Sequence, residues 1–104
     1  MTNTEFQRIF NELIEELKNK SLSKGLEYSR NKDRFHNFEE GAKLFGITKE
    51  KYLLFLLSKH TISINDMVDD IAKGVFWTNE VWKEKITDII LYLFILYAMN
   101  HTKE

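Results

Sequence analysis

The sequence contains no cysteine and no proline, and only four glycines in 104 residues. Without cysteine, disulfides and thiolate metal sites are excluded, and a reducing compartment is compatible with the composition. Proline and glycine are the residues a helix interior tolerates least, so their scarcity favours long uninterrupted helices. A strong charge of either sign is also missing. The formal net charge is −1, whereas a nonspecific nucleic-acid binder is normally far more basic. Residues 1–5 show no basic-then-apolar leader pattern. The one long apolar run covers residues 89–99 and falls well short of the ~20 residues a membrane-spanning helix needs. Together these absences predict a cytoplasmic protein with neither a membrane nor nonspecific nucleic acid as partner. No Walker loop, Gly-rich fingerprint, His-x-x-x-His or Gly-x-Ser-x-Gly motif occurs, and no covalent nucleophile is expected.

Hydrophobic residues make up 43% of the chain, enough for a core and too many for disorder. At this length one domain, residues 1–104, is expected. Helical periodicity divides it into four main helices. Thr2 and Glu5 have capping-box spacing, and Phe6, Ile9, Phe10, Leu13, Ile14 and Leu17 follow as an apolar stripe. The stripe fades after Leu17, and residues 19–36 read as loop or irregular helix, rich in Ser, Asn and Lys. Asn37 and Glu40 again have capping-box spacing, with Gly46 as a stop. Thr48 caps a third helix over residues 49–73, with Leu53, Leu56, Leu57, Ile64, Met67, Val68 and Ile71 as core positions. Thr78 or Asn79 caps a fourth that runs to about Asn100. The fold class is therefore all-α, a compact bundle of four main helices. Residues 89–99 are apolar on every side, and a helix of that kind must be covered all round. A small domain buries only a modest share of its surface, so a homo-oligomer formed through the C-terminal helix is expected.

Candidate chemistry centres on Asp88, which follows Ile86-Thr87 and precedes the apolar run. A carboxylate there is expected to be largely buried and therefore paired. Lys85, three residues earlier, and Lys59, on the neighbouring helix, are its expected partners. Glu84 and Tyr92 lie one turn either side of Asp88 and share its stripe. On the third helix Lys59, Ser63, Asp66 and Asp70 form a second polar line, with Asp69 beside it. Carboxylates from two helices facing one groove suit Mg²⁺, a hard ion that prefers oxygen. His60 falls on the apolar side of its helix, where a hydrogen-bonded core role is the commoner reading. Residues 18–34 form the most basic stretch, and Arg34 in it suits phosphate capture. Tyr28, Phe35 and Phe38 can stack on a base.

Several of these residues form a pattern. It consists of Tyr28, then Asp33-Arg34-Phe35-His36-Asn37-Phe38, Ala42 and Gly46-Ile47-Thr48. It continues with Lys59-His60, Ser63-Ile64, Asp66-Met67-Val68-Asp69-Asp70, Glu84-Lys85-Ile86, Asp88 and Tyr92-Leu93. Over roughly residues 10–100 it resembles small helical proteins of phages and prophages, among them the nucleotide-modification-associated domains. In pattern it is also similar to the MazG-like all-α nucleoside triphosphate pyrophosphatases. The resemblance implies a metal set in which Asp66, Asp69, Glu84 and Asp88 hold Mg²⁺. Lys85 stands where the MazG-like pattern has a glutamate. Lys59 and Lys85 then read as phosphate contacts, beside Ser63, Tyr92, Arg34 and Tyr28. The implied function is that of a phage-type protein binding a phosphorylated nucleotide in the bacterial host cell. It either sequesters that nucleotide, a defence signal included, or hydrolyses a nucleoside triphosphate to monophosphate and pyrophosphate with Mg²⁺. The alternative is an anti-defence protein that inhibits a host protein by binding it.

Overall fold

The computed structural model describes residues 1–28 and 33–101, and side chains at 25–28 lie outside that description. Four helices account for nearly all of it: α1 (Asn3–Tyr28), α2 (His36–Phe45), α3 (Lys49–Ala72) and α4 (Asn79–His101). Among the described residues no extended strand forms, and no helix is long and apolar enough to cross a membrane. α4 packs against both α3 and α1, and α2 packs on α3.

Local chemistry sets most of the boundaries. At the start of α1 the Glu5 amide donates to Thr2 Oγ1 at 3.1 Å, and the Thr2 amide donates to Glu5 Oε2 at 3.3 Å. That is the reciprocal capping box expected from the spacing. Thr48 Oγ1 accepts from the Lys51 amide, and Thr78 Oγ1 accepts from the Val81 amide. Gly46 and Gly74 close α2 and α3 with φ of 65° and 79°. In that left-handed region a Cβ is penalised. The Ile47 amide donates back to the Ala42 carbonyl, and the Val75 amide to that of Asp70, which completes both stops.

Two expectations change. α1 does not give way to a loop at residue 19 but continues as helix to Tyr28. Ser and Lys tolerate a helix, and a single Gly25 costs only about 1 kcal/mol. The first turns of this extension are held against α4. The start of α2 also differs. Its N-cap is Phe35, with no side-chain cap bond, so the Asn37–Glu40 box is not used. Asp33 Oδ1 accepts from the Phe35 amide instead and shapes the entry to the helix.

The core is thin. Phe38, Leu53 and Met99 form its centre, with Phe35, Tyr52, Leu56, Tyr92, Ile95 and Leu96 packed around them. Leu57 and Met67 of α3 are buried as expected, but Val68 and Ile71 are exposed because no helix covers that side. Between α2 and α3 the backbone of Gly41 lies against the Tyr52 ring. A methyl group at Gly41 would overlap that ring, which is itself stacked on Phe45. Gly41→Ala is therefore expected to destabilise the fold by about 1–3 kcal/mol through overpacking, despite alanine's better helix propensity. Urea unfolding measures it, and an unchanged or raised midpoint would contradict the close α2–α3 contact.

Candidate functional site

The seam between α1 and α4 carries the most concentrated polar arrangement among the described residues. On α1, Leu13, Leu17, Lys20 and Lys24 continue one helical face toward α4. On α4, Thr87, Leu91, Ile95 and Met99 recur every four residues, and this stripe turns inward. Where the two faces cross, Lys20 Nζ donates to Thr87 Oγ1 at 2.6 Å, to Asp88 Oδ1 at 3.0 Å and to the Glu84 carbonyl at 3.2 Å. The Thr87 hydroxyl, fully buried, donates in turn to the Lys83 carbonyl at 2.7 Å. An ammonium has three N–H donors and no acceptor, so this set occupies all of them. The Lys20 and Asp88 side chains retain only 12% and 19% of their exposure. Within such shielding an ion pair is screened far less than at the surface.

The second oxygen of Asp88 looks toward α3. Its Oδ2 lies 3.9 Å from His60 Nδ1, within ion-pair range when the imidazole is protonated. The His60 ring lies 5.1 Å from that of Tyr92, and Tyr92 meets Phe38 edge-on at 6.2 Å. Lys24, Phe38, His60, Asp88, Leu91, Tyr92 and Ile95 wall a cavity of about 190 Å³. A neighbouring cavity of about 240 Å³ shares Lys24, Phe38, Leu91 and Ile95 and adds Ser21, Arg34, Phe35, Phe94 and Ala98. The two form one groove, with an aromatic and aliphatic floor and cationic side chains at its edges. Arg34 Nη2 donates to the Ser21 carbonyl at 3.1 Å, which ties the segment before α2 to α1.

Several residues singled out from the sequence meet here. Arg34, Asp88 and Tyr92 line this groove. The expected partners of Asp88 are replaced: its described neighbours are the Lys20 ammonium and the His60 imidazole, not Lys85 or Lys59. Lys59 is exposed, Ser63 and Lys85 are half-buried, and none of the three belongs to the groove's described walls. The Tyr28 side chain lies outside the described residues. Of the four carboxylates expected to share Mg²⁺, Asp66, Asp69 and Glu84 are exposed. Among the described residues no three His, Asp or Glu side chains gather as a metal site would require. Asp70 has another task. Its Oδ2 accepts from the Trp77 indole N–H at 2.8 Å and fastens the α3–α4 connection.

Lys20 and Thr87 were missed by the sequence reasoning. Lys20 is the next position on the α1 stripe after Leu17, and a lysine there requires an acceptor on the opposing helix. Thr87 sits on the buried stripe of α4, where a hydroxyl must find a partner. Comparison with known proteins gives no match to any family model, curated protein or solved structure.

Removing one member of the Lys20–Asp88 pair leaves the other shielded and unpaired. Lys20→Met and Asp88→Asn are each expected to lower stability by about 3 kcal/mol, near the lower end for breaking a buried pair. The double variant Lys20→Met/Asp88→Asn should lose clearly less than the sum of the single changes. Chemical denaturation of the four proteins tests this, and strictly additive losses would show that the two groups do not interact.

Proposed function

We propose that the chain binds a phosphorylated nucleotide in the groove between α1, α3 and α4. The observation that carries this reading is the meeting of Tyr92, Phe38 and Phe35 with Lys24, Arg34 and His60 around one groove. Rings supply a surface for a base, and a guanidinium and an ammonium supply donors for phosphate oxygens. Asp88, fixed by Lys20, faces the His60 imidazole across 3.9 Å. The resemblance of the sequence to phage proteins of the nucleotide-modification-associated and MazG-like kind points the same way.

Sequestration is the form of this function that the groove supports best, since it needs only the groups already gathered. The enzymatic form is Mg²⁺-dependent cleavage to monophosphate and pyrophosphate. It requires Asp66, Asp69, Glu84 and Asp88 to meet around an ion on ligand binding. The working unit on this reading is a homo-oligomer, because Leu93, Phe94 and Tyr97 of α4 stand exposed in the single chain. A second reading, inhibition of a host protein by docking, is favoured by Leu44, Phe45 and Phe76, also exposed.

A thermal-shift screen of nucleoside mono-, di- and triphosphates, with and without Mg²⁺, tests the proposal. A ligand at 100 times its dissociation constant adds about 2.7 kcal/mol of stability. Arg34→Ala should weaken binding about tenfold or more, as loss of a charge-assisted contact does, and His60→Ala should weaken it by less, as loss of a neutral hydrogen bond does. Lys59→Ala should leave it unchanged. No shift with any nucleotide would defeat the reading. Pyrophosphate release in the presence of Mg²⁺ would decide for the enzymatic form.

A further inference from the structure

The chain exposes more surface than its mass calls for. Its accessible area is 7,915 Å², against about 6,100 Å² for a folded monomer of 12.4 kDa. Its radius of gyration is 16.0 Å, against about 13 Å for a compact chain of this length. The cause is visible in α1. At 26 residues the helix is about 39 Å long, yet residues 1–12 are all exposed and its contact with α4 begins only near Leu13. The first half of α1 is thus an arm reaching beyond the bundle.

This arm is not a polar tail. Phe6, Ile9 and Phe10 lie along one side of it and are 62%, 43% and 48% exposed. Its opposite side carries the Arg8–Glu12 ion pair at 2.8 Å and a Gln7–Asn11 hydrogen bond at 2.9 Å. With the capping box, these bonds keep the arm helical. The arm's apolar side continues into an open apolar groove of about 460 Å³ along the α1–α4 seam. Ile14, Leu17 and Leu22 of α1 and Ile90 and Phe94 of α4 line that groove.

We infer that a second copy of this chain occupies this surface. Each copy lays its α1 arm, through Phe6, Ile9 and Phe10, against the other's seam at Ile90 and Phe94. The arrangement is self-complementary and closes on itself about a two-fold axis. The area supports a second copy. The excess of about 1,800 Å² on each chain, to which the exposed sides of α2 and α3 also contribute, is enough to supply the ~1,000 Å² or more per partner that obligate dimers bury. The inference specifies the homo-oligomer of the preceding reading, and its seam shares Arg34 and Phe94 with the wall of the nucleotide groove.

Light scattering at micromolar concentration is expected to give about 25 kDa, twice the 12.4 kDa chain. Phe10→Asp and Phe94→Asp should each weaken self-association about a hundredfold, as loss of a central aromatic anchor does. Because Phe10 stands 48% exposed on the projecting arm, Phe10→Asp should keep its helical circular dichroism. Light scattering of the wild type reads self-association alone and its thermal shift reads nucleotide binding, so the two proposals fail separately. The chain has no cysteine, so a Phe10→Cys/Phe94→Cys double variant offers a direct test. It should form an inter-chain disulfide under mild oxidation. A monomeric wild type overturns the inference, whether or not the arm then binds lipid vesicles. A dimer that Phe10→Asp leaves intact, with no cross-link, overturns the arm-on-seam arrangement alone.

Discussion

Lys20 is a cation in the place of a core residue. Its position on α1 continues the apolar side formed by Leu13 and Leu17, and at the crossing with α4 its three donors meet a carboxylate, a hydroxyl and a backbone carbonyl. Much else depends on that crossing. It fixes the position at which α1 meets α4. It holds the carboxylate of Asp88 so that the remaining oxygen faces His60. It also determines which part of α1 is covered and which part projects. An apolar contact at the same point would have held the two helices together with less specificity about their register. The directed bonds leave little freedom to slide.

The thin core and the open α1–α4 seam are connected. Four helices arranged so that α4 packs on α1 and α3, while α2 rests mainly on α3 and reaches α4 through Phe38 and Tyr92, leave one side of most helices open among the described residues. Phe38, Leu53 and Met99 make a centre, but Val68, Ile71, Leu93, Phe94 and Tyr97 are left outside it. The groove is a product of the same arrangement: its walls are the inner edges of helices that a larger core would have pulled together. Thus the exposed apolar surface and the cation-edged groove have one origin.

Much of the fold is legible in the sequence because its cues are local. The Thr2–Glu5 box, the Thr48 and Thr78 caps and the Gly46 and Gly74 stops all act within a few residues of themselves. The continuation of α1 to Tyr28 was not legible. Its sequence is polar and weakly periodic, and part of what holds it is Lys20 reaching a residue 68 positions away. The site was legible in its centre and not in its partners. Asp88 announces itself through the apolar residues on both sides. Which lysine answers it depends on the path of α1 across α4, and no spacing within α4 reveals that. Lys85 and Lys59 were near in sequence or on a neighbouring helix, but it is Lys20 on α1 whose side chain reaches Asp88 in the seam. Asp70 is similar: it is an acidic residue near a helix C-terminus, unfavourable to the helix dipole. Its reason lies in an indole seven residues on.

The projecting half of α1 has a consequence for the lifetime of the protein. Local opening is governed by the contacts a segment makes, and a helix held only by its own backbone and side-chain pairs opens at little free energy. The arm is therefore where amide protons exchange first and where a protease finds an unfolded stretch, with Arg8 a ready cleavage point. Covering the arm withdraws that stretch. Abundance in a cell would then rise more steeply than synthesis, because each chain that finds another removes two entry points for degradation.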